Sequence, residues 1–227
     1  MAFIRSAGRL RPRAVAALVV LALAVLAIPA RAELVDGLGA YKRGDYEAAA
    51  ALLYPLAEKG DPRAQYVLGR MRFYGQVFKQ DSAAAALWYR RSAEQGYAPA
   101  QLAFALALEG GWGVAREPKQ AVQWYKRAAM QGVPDAMWRL AYHYRRGIGT
   151  PRDLIEAWAW FDILAAGGDD RAIAERDWLA LVGLDERDLE QAKSRSQALG
   201  REMEAAVLVR PNRSGSLSSQ PAFRPAP

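Results

Sequence analysis

Apolar and small residues recur along this chain at two spacings, one within segments and one between them. Within the segment 85–93, Ala85, Trp88, Tyr89 and Ala93 fall on one face of a helix. Between segments the period is 36 residues, which is typical of a protein built from stacked repeats. This period relates Trp88, Trp124 and Trp160; Ala64, Ala100 and Ala136; Ala93, Ala129 and Ala165; Gly75, Gly111 and Gly147; and Gly96, Gly132 and Gly168.

Each period predicts two helices separated by a short loop. In the unit 64–96 the first helix ends at Gly75, since glycine commonly takes the left-handed conformation after a helix. The second helix follows Asp81, whose carboxylate can accept hydrogen bonds from the free N–H groups of the first turn. Asp45, Glu117 and Asp153 stand at the equivalent position. The pattern predicts an all-α protein, a right-handed α-solenoid of stacked antiparallel helix pairs.

The period divides the chain into units at about 33–62, 63–98, 99–134 and 135–170. We expect the phase to be lost after Gly168, where two closing helices, 171–182 and 186–208, form a C-terminal cap. Residues 209–227 are rich in Pro, Ser and Arg, and this composition predicts a disordered tail. The repeated tryptophans, Trp88, Trp124 and Trp160, are expected to bury a large area between neighbouring helix pairs.

The first 32 residues have the pattern of a cleavable export signal. Four arginines precede an apolar run at 14–28, and Ala30 and Ala32 place small residues at the −3 and −1 sites. Cleavage after Ala32 would give a periplasmic protein that does not stay inserted in a membrane. The alternative is an uncleaved segment that anchors the protein to the inner membrane, although its run is shorter than the roughly 20 residues a spanning helix needs.

Charge and composition argue against nucleic-acid binding and against disulfide bonds. Residues 1–32 carry five Arg and no acid, so the formal charge of +7 falls to +2 for residues 33–227 and to −1 for residues 33–209. The basic character thus lies at the two ends, which removes the electrostatic support for nucleic-acid binding. The chain has no Cys, so its stability depends on burial rather than on disulfides.

Three parts of the chain resemble Sel-one-like repeats. They are AQYVLGRM (64–71) with ALWYRRSAEQG (86–96), AQLAFALA (100–107) with AVQWYKRAAMQG (121–132), and AMWRLAYHY (136–144) with AWAWFDILAAGG (157–168). That family is a branch of the tetratricopeptide-like helical solenoids. The chain departs from its pattern at Val77, where the loops of later units keep Gly113 and Gly149, and at Arg72, where an aromatic residue is usual. The resemblance implies a role in protein assembly, and for exported bacterial members a role in envelope scaffolding, exopolysaccharide secretion or signalling.

Catalysis has little support in the sequence. His143 is the single His, and a catalytic His needs a nucleophile or an orienting carboxylate that no motif supplies. One His and no Cys also argue against a metal site. We expect no enzyme activity, no cofactor and no metal, and we expect His143 to be a packed repeat position.

A partner is expected on the concave face, which the first helix of each unit lines in such solenoids. The stripe i, i+3, i+7 on these helices predicts a groove that suits a peptide with a carboxylate and an apolar centre. Its residues would be Arg70, Tyr74, Leu106, Arg139, Tyr142 and Arg146, with Val67, Ala103 and Gly110 on the same stripe. The alternative is a glycan- or cell-wall-binding protein that uses Trp112, Trp138, Trp158 and Trp178, which lie off the period. Exposed tryptophans would favour glycan, and buried ones the peptide. Neither reading fixes the oligomeric state or the identity of the partner.

Overall fold

The computed structural model describes residues 31–208, and every regular element in that range is a helix. The predicted tail and all but the last two residues of the predicted signal lie outside the described residues. The helices are α1 (31–43), α2 (Tyr46–Glu58), α3 (Pro62–Tyr74), α4 (Ser82–Glu94), α5 (Ala98–Gly110), α6 (Pro118–Ala129), α7 (Pro134–Arg146), α8 (Leu154–Ala166), α9 (Asp170–Val182) and α10 (Glu186–Leu208). From α2 to α9 each helix packs on the next, whereas α10 packs on α8. Consecutive helix pairs thus stack into an α-solenoid, which confirms the predicted fold class.

Carboxylate hydrogen bonds begin three of the four even-numbered helices from α2 to α8. Asp45, Asp81 and Asp153 each accept a hydrogen bond from the backbone N–H three residues later, at 3.2, 2.9 and 2.9 Å. Glu117 makes no such bond, and Pro118 follows it at the first helical position, where a missing N–H costs nothing. The even-numbered helices from α2 to α8 therefore begin where the repeat pattern places them.

Left-handed glycines end three of the odd-numbered helices. The φ angles are 70° at Gly75, 73° at Gly111 and 68° at Gly147. The N–H of each glycine bonds a carbonyl of the last turn, as in a helix that closes on a left-handed residue. Each of these loops then leads directly into the helix that packs back on the one just ended.

The 36-residue phase survives one helix further than expected. Ala172 lies 36 residues after Ala136 and is fully buried like it, and Leu179 takes the fully buried position of His143. The expectation that the phase is lost after Gly168 is therefore wrong. Helix α9 is the first helix of a fifth unit, and the phase is lost only at α10, which begins four residues before the position that the period predicts.

The three periodic tryptophans differ in burial. Trp160 is 1% exposed and Trp88 is 9% exposed, so both lie in the core between helix pairs. Trp124 is only half-buried: one side packs edge-on against Phe104, with 5.6 Å between ring centroids, and Arg127 lies 4.3 Å over the ring. The expectation of deep burial is therefore wrong for Trp124. The equivalent Arg91 lies 4.8 Å over the ring of Trp88, so this cation–aromatic contact is shared by two units.

Helix α10 closes part of the last repeat. Its Ala192 and Leu199 are fully buried in the main core, and Ser196 donates a hydrogen bond of 2.8 Å to Asp162 on α8. Arg195 adds an ion pair with Glu156, also on α8. The helix therefore serves as a cap, but it covers α8 rather than continuing the pairing of α9.

Glutamine side chains tie the units together along one edge of the stack. Gln65 donates to the carbonyl of Ala57 at 3.0 Å and accepts from Gln95 at 2.8 Å. One unit later Gln101 donates to Ala93 at 3.3 Å and accepts from Gln131 at 2.6 Å. Met137 takes the equivalent place in the fourth unit. The glutamine ladder therefore runs through the first three units and ends there.

The loop between α3 and α4 contains a strained residue. Val77 has φ of 65°, and within residues 31–208 it is the one residue other than glycine with a positive φ. The next units keep glycine here, and a Cβ added at Gly113 would lie 2.1 Å from the carbonyl oxygen of Ser82. Val77 avoids such a clash by lying at the surface, where it is 47% exposed. It still adopts a conformation that disfavours a β-branched residue.

We predict that Val77→Gly raises the free energy of unfolding by about 0.5–1 kcal/mol. Relief of roughly 1–2 kcal/mol of backbone strain outweighs the larger entropy of glycine in the unfolded chain. As the matched change, Gly113→Val should lower it by more than about 2 kcal/mol, because it adds both strain and a backbone clash. Denaturant unfolding of both variants measures this. A loss of stability in Val77→Gly would show that the valine side chain makes contacts worth more than its strain.

Candidate functional site

Five of the six predicted partner-binding residues lie on two odd-numbered helices, α3 and α7. Arg70 and Tyr74 are half-buried on α3, and Arg139 and Tyr142 are half-buried on α7. Arg146, at the end of α7, is exposed. These five side chains reach the surface and can meet a partner.

Leu106 does not belong to this surface. It is 4% exposed and lies in the main core, so the prediction that it lines a groove is wrong. Val67 and Ala103, at the start of the same assumed stripe, are each 2% exposed. The stripe failed because α5 is covered by helices on both sides, so eight of its thirteen residues are buried and little of it is left for a groove.

Arg70 lies among tyrosine rings. Its guanidinium carbon is 5.4 Å from the ring centroid of Tyr41, 6.0 Å from that of Tyr66 and 5.8 Å from that of Tyr74. Arg70 also donates hydrogen bonds to the hydroxyls of Tyr66 and Tyr74. Burial, partly offset by the positive charge of Arg70, raises the pKa of Tyr41 to about 12, so this phenol stays neutral. The neutral rings hold the cation in place by cation–π attraction without removing its charge.

A second cluster forms around Glu109, which the sequence analysis did not single out. Tyr125 donates a hydrogen bond to Oε2 of Glu109, and Nη1 of Arg139 donates to the same oxygen at 3.2 Å. Nε2 of His143 lies 3.3 Å from Oε1, and Nδ1 of His143 lies 2.9 Å from the carbonyl oxygen of Ile148. Both ring nitrogens of His143 thus lie near an oxygen atom, one on Glu109 and one on Ile148.

The Glu109 cluster sets the ionisation of its members. Burial alone would raise the pKa of Glu109, but the hydrogen bonds from His143 and Tyr125 and the charge of Arg139 outweigh it and lower the pKa to about 2. Burial and then the charge of Glu109 raise the pKa of Tyr125 far above its ordinary value. The carboxylate is therefore ionised and the phenol neutral throughout the physiological range.

This arrangement holds three helices together. Tyr125 and Arg139 donate to one oxygen of Glu109, and the fully buried His143 lies between the other oxygen and the carbonyl of Ile148. Within residues 31–208 no cluster of His, Asp and Glu could hold a metal ion. Since Glu109, Tyr125 and His143 lie on α5, α6 and α7, the cluster ties one unit to the next.

One signal in the sequence could have revealed Glu109. It stands in the last turn of α5, which has no basic residue, and a negative charge is unfavourable at that end of a helix. An acid in such a place needs cationic partners from elsewhere. Arg139 lies 30 residues later, where the next odd-numbered helix passes the end of α5.

We predict that Glu109 makes the protein sensitive to acid. Its folded-state pKa is below its unfolded value, so the stabilisation is complete above about pH 4.5 and is lost as the pH falls towards 2. The shift corresponds to roughly 3 kcal/mol, of which about 2 kcal/mol should disappear between pH 7 and pH 3. Urea unfolding of the wild type and of Glu109→Gln at both pH values measures this.

The Glu109→Gln variant should be about 2–3 kcal/mol less stable at pH 7, because Arg139 loses its counter-ion and Tyr125 loses a charged acceptor. Its remaining acid dependence should be correspondingly smaller. The control is Glu190→Gln, which removes an exposed partner of Lys193 and should cost less than about 0.5 kcal/mol. An unchanged acid dependence in Glu109→Gln would contradict the prediction.

Similar solved structures share this architecture. A Sel1 repeat protein from Oxalobacter formigenes is 28% identical, with a TM-score of 0.64, and the match covers 77% of this chain and 74% of that one. A protective antigen of uropathogenic Escherichia coli that displays an SLR fold is 27% identical, with a TM-score of 0.61, over 77% of this chain. This chain matches only 38% of the length of that antigen. A search among curated proteins finds no match.

The Sel1 repeat profile matches four successive segments, residues 22–61, 62–97, 98–133 and 134–169. The first match overlaps residues 22–32 of the predicted export signal. Among residues 31–208 no helix has the length and apolar character required to cross a membrane. Sel1 repeat proteins generally act as non-enzymatic scaffolds for protein interactions. Because the four in-phase matches cover well over half of the sequence, this chain belongs to the Sel1 repeat family.

Proposed function

We propose that this protein is an exported scaffold that binds an acidic peptide segment of a partner protein along its odd-numbered helices. The observation that carries the proposal is that the cations on this surface are held in place before any partner arrives. Arg70 is fixed among three tyrosine rings, and Arg139 is fixed by Glu109. Cations that are already ordered lose less side-chain entropy on binding than free ones.

The chemistry of these residues indicates the kind of partner. Arginine offers a planar fork of donors that suits a carboxylate, and tyrosine adds contact area at a low entropy cost. Arg145 lies 5.6 Å over the ring of Tyr142, so α7 also presents an ordered cation–aromatic pair beside the exposed Arg146. A peptide that carries carboxylates two repeats apart, with side chains that can pack on tyrosine, fits this surface.

The glycan-binding alternative depended on exposed tryptophans away from the repeat period. Trp158 is buried, and Trp112 and Trp138 are half-buried. Trp112 packs 5.8 Å from Phe73, and Trp138 packs 5.1 Å from Phe161. Trp178 is exposed, but one ring alone does not make the row of coplanar rings that a polysaccharide requires. The other three are buried or half-buried and pack within the protein, which favours the peptide reading.

Export is the second part of the proposal. The basic start, the short apolar run at 14–28 and the small residues Ala30 and Ala32 support a cleaved signal. We predict that the protein recovered from the periplasmic fraction begins at Glu33, which N-terminal sequencing can test. Recovery of the intact N-terminus from the membrane fraction would instead support the inner-membrane anchor. In either case the surface faces the cell envelope, where envelope assembly, exopolysaccharide secretion or signalling are the processes that the family resemblance suggests.

Arg146 is the best position at which to test partner binding, because it is exposed, whereas a change at Arg139 would also disturb Glu109. We predict that Arg146→Glu leaves the melting curve within about 0.5 kcal/mol of the wild type. It should weaken capture of a specific envelope protein by about tenfold, with a lower sensitivity to salt. Quantitative affinity capture from envelope extract with both baits provides the measurement.

Lys119→Glu is the matched control, since Lys119 is also exposed but lies on the even-numbered helix α6. The proposal requires a protein that the wild type and Lys119→Glu retain and that Arg146→Glu loses. If folded Arg146→Glu captures the same proteins in the same amounts as the wild type, the surface of the odd-numbered helices is not the binding site.

A further inference from the structure

Three large apolar side chains are exposed together at the end of α9. Trp178 is 51% exposed, Leu181 is 83% exposed and Val182 is 58% exposed. Their spacing of three and four residues puts them on one side of the helix. We call these three residues the open face of α9.

The equivalent of Leu181 in each earlier unit is covered. Phe73 is 7% exposed, and the side chains of Glu109 and Arg145 are 23% and 21% exposed. Each lies 36 residues before the next, so they occupy one position of the repeat. Leu181 stands at that position in the fifth unit and is the one that lies open.

For Glu109 and Arg145 the residue that pairs with this position comes from the next odd-numbered helix, 30 residues later in the chain, whereas Phe73 packs 5.8 Å from the ring of Trp112. Arg139 bonds Glu109, and Glu175 bonds Arg145. Phe73 and Ala103, at the same separation, lie in one core cluster. We call such a couple a rung pair. The first rung pair joins two apolar residues, the second joins an acid on the earlier helix to a base on the later one, and the third joins a base to an acid. The residue on the earlier helix thus determines the chemistry of its partner.

Leu181 has no such helix above it within the part of the chain that the structure describes. Helix α10 packs on α8 and hardly touches α9. The position that joins successive odd-numbered helices therefore ends at Leu181. Beside it, the guanidinium of Arg145 lies 5.8 Å from the ring centroid of Trp178, and Val182 continues the line of the exposed Arg146.

We propose that the open face binds an α-helix of a partner protein, which adds to the stack as the next odd-numbered helix. Its residue opposite Leu181 is apolar, since the rung pair must match leucine. Its flanks are basic, because the last turn of α9 is the negative end of a helix and contains no basic residue. Asp185 and Glu186, both exposed, follow directly.

A second copy of this chain fits the open face less well. In a head-to-tail stack the second copy would offer α1, which ends at Gly44 as α3 ends at Gly75. This alignment puts Asp36 at the position of Val67 and Ala103, opposite Leu181. A carboxylate would then face a leucine beside further acids, which is unfavourable. The rung pair thus favours a different protein.

Two helices of the chain itself supply matched probes. One lactam-stabilised, fluorescent peptide carries the sequence of α5, with Ala103 at the rung position, and the other carries that of α7, with Arg139 there. Both receive two lysines at each end for solubility and basic flanks. Fluorescence anisotropy against the purified protein gives their dissociation constants.

The α5 peptide should bind about tenfold more tightly than the α7 peptide, which is the order of a buried apolar contact. Leu181→Glu should invert this preference, because it provides an acid for Arg139 as Glu109 does in the intact stack. Leu87→Glu, at an exposed leucine on α4, should change neither affinity. Arg146→Glu should also retain the preference for the α5 peptide, which separates this surface from the one proposed for the acidic peptide.

Three results would overturn the proposal. One is the absence of any difference between the peptides, including no binding of either at about 1 mM. Another is an unchanged preference in Leu181→Glu. The third comes from sedimentation: if the wild type self-associates and Leu181→Glu does not, a second copy occupies the open face.

Discussion

The close approach of successive helices is the constraint on which the rest of this structure depends. Ala64, Ala100, Ala136 and Ala172 are fully buried at equivalent places, where any larger side chain would push the helices apart. Gly69 allows an even closer contact, since a Cβ there would lie 2.6 Å from the ring of Tyr89. Because small residues set the distance between helices, every later helix meets its neighbour at the same height. The 36-residue period in the sequence arises from this repeated packing.

This constraint explains why the fold could be predicted from the sequence. Residues that fit a close contact or a left-handed turn have few substitutes, so they recur unchanged and reveal the period. The fifth unit keeps the period at Ala172, Leu179 and Gly183. It was not recognised in the sequence because this unit has no repeated Trp and its second helix, α10, is out of phase. The strain at Val77 could not be read from the period either, since it depends on a loop that departs from the later units.

The candidate site was harder to predict, because its contacts join unlike residues. The pair formed by Glu109 and Arg139 and the pair formed by Arg145 and Glu175 have opposite order of charge, so a search for identical residues misses both. Leu106 was misplaced for a related reason: its burial is decided by helices on both sides rather than by its own spacing. Residues that recur unchanged every 36 positions therefore reveal how the helices are spaced. Residues of complementary chemistry 30 positions apart instead reveal which helix surfaces are paired and which are left open.

The glutamine ladder has a consequence for how the molecule comes apart. Stacked repeats behave approximately as a one-dimensional chain of units coupled to their nearest neighbours, and they fray where the coupling is weakest. Gln65 and Gln101 add polar coupling to the first three units, and Met137 ends it. Helix α10 ties itself to α8 and leaves α9 with contacts on one side only. Partial opening is therefore expected to start at α9, whereas the glutamine ladder and the Glu109 cluster hold the units before it together.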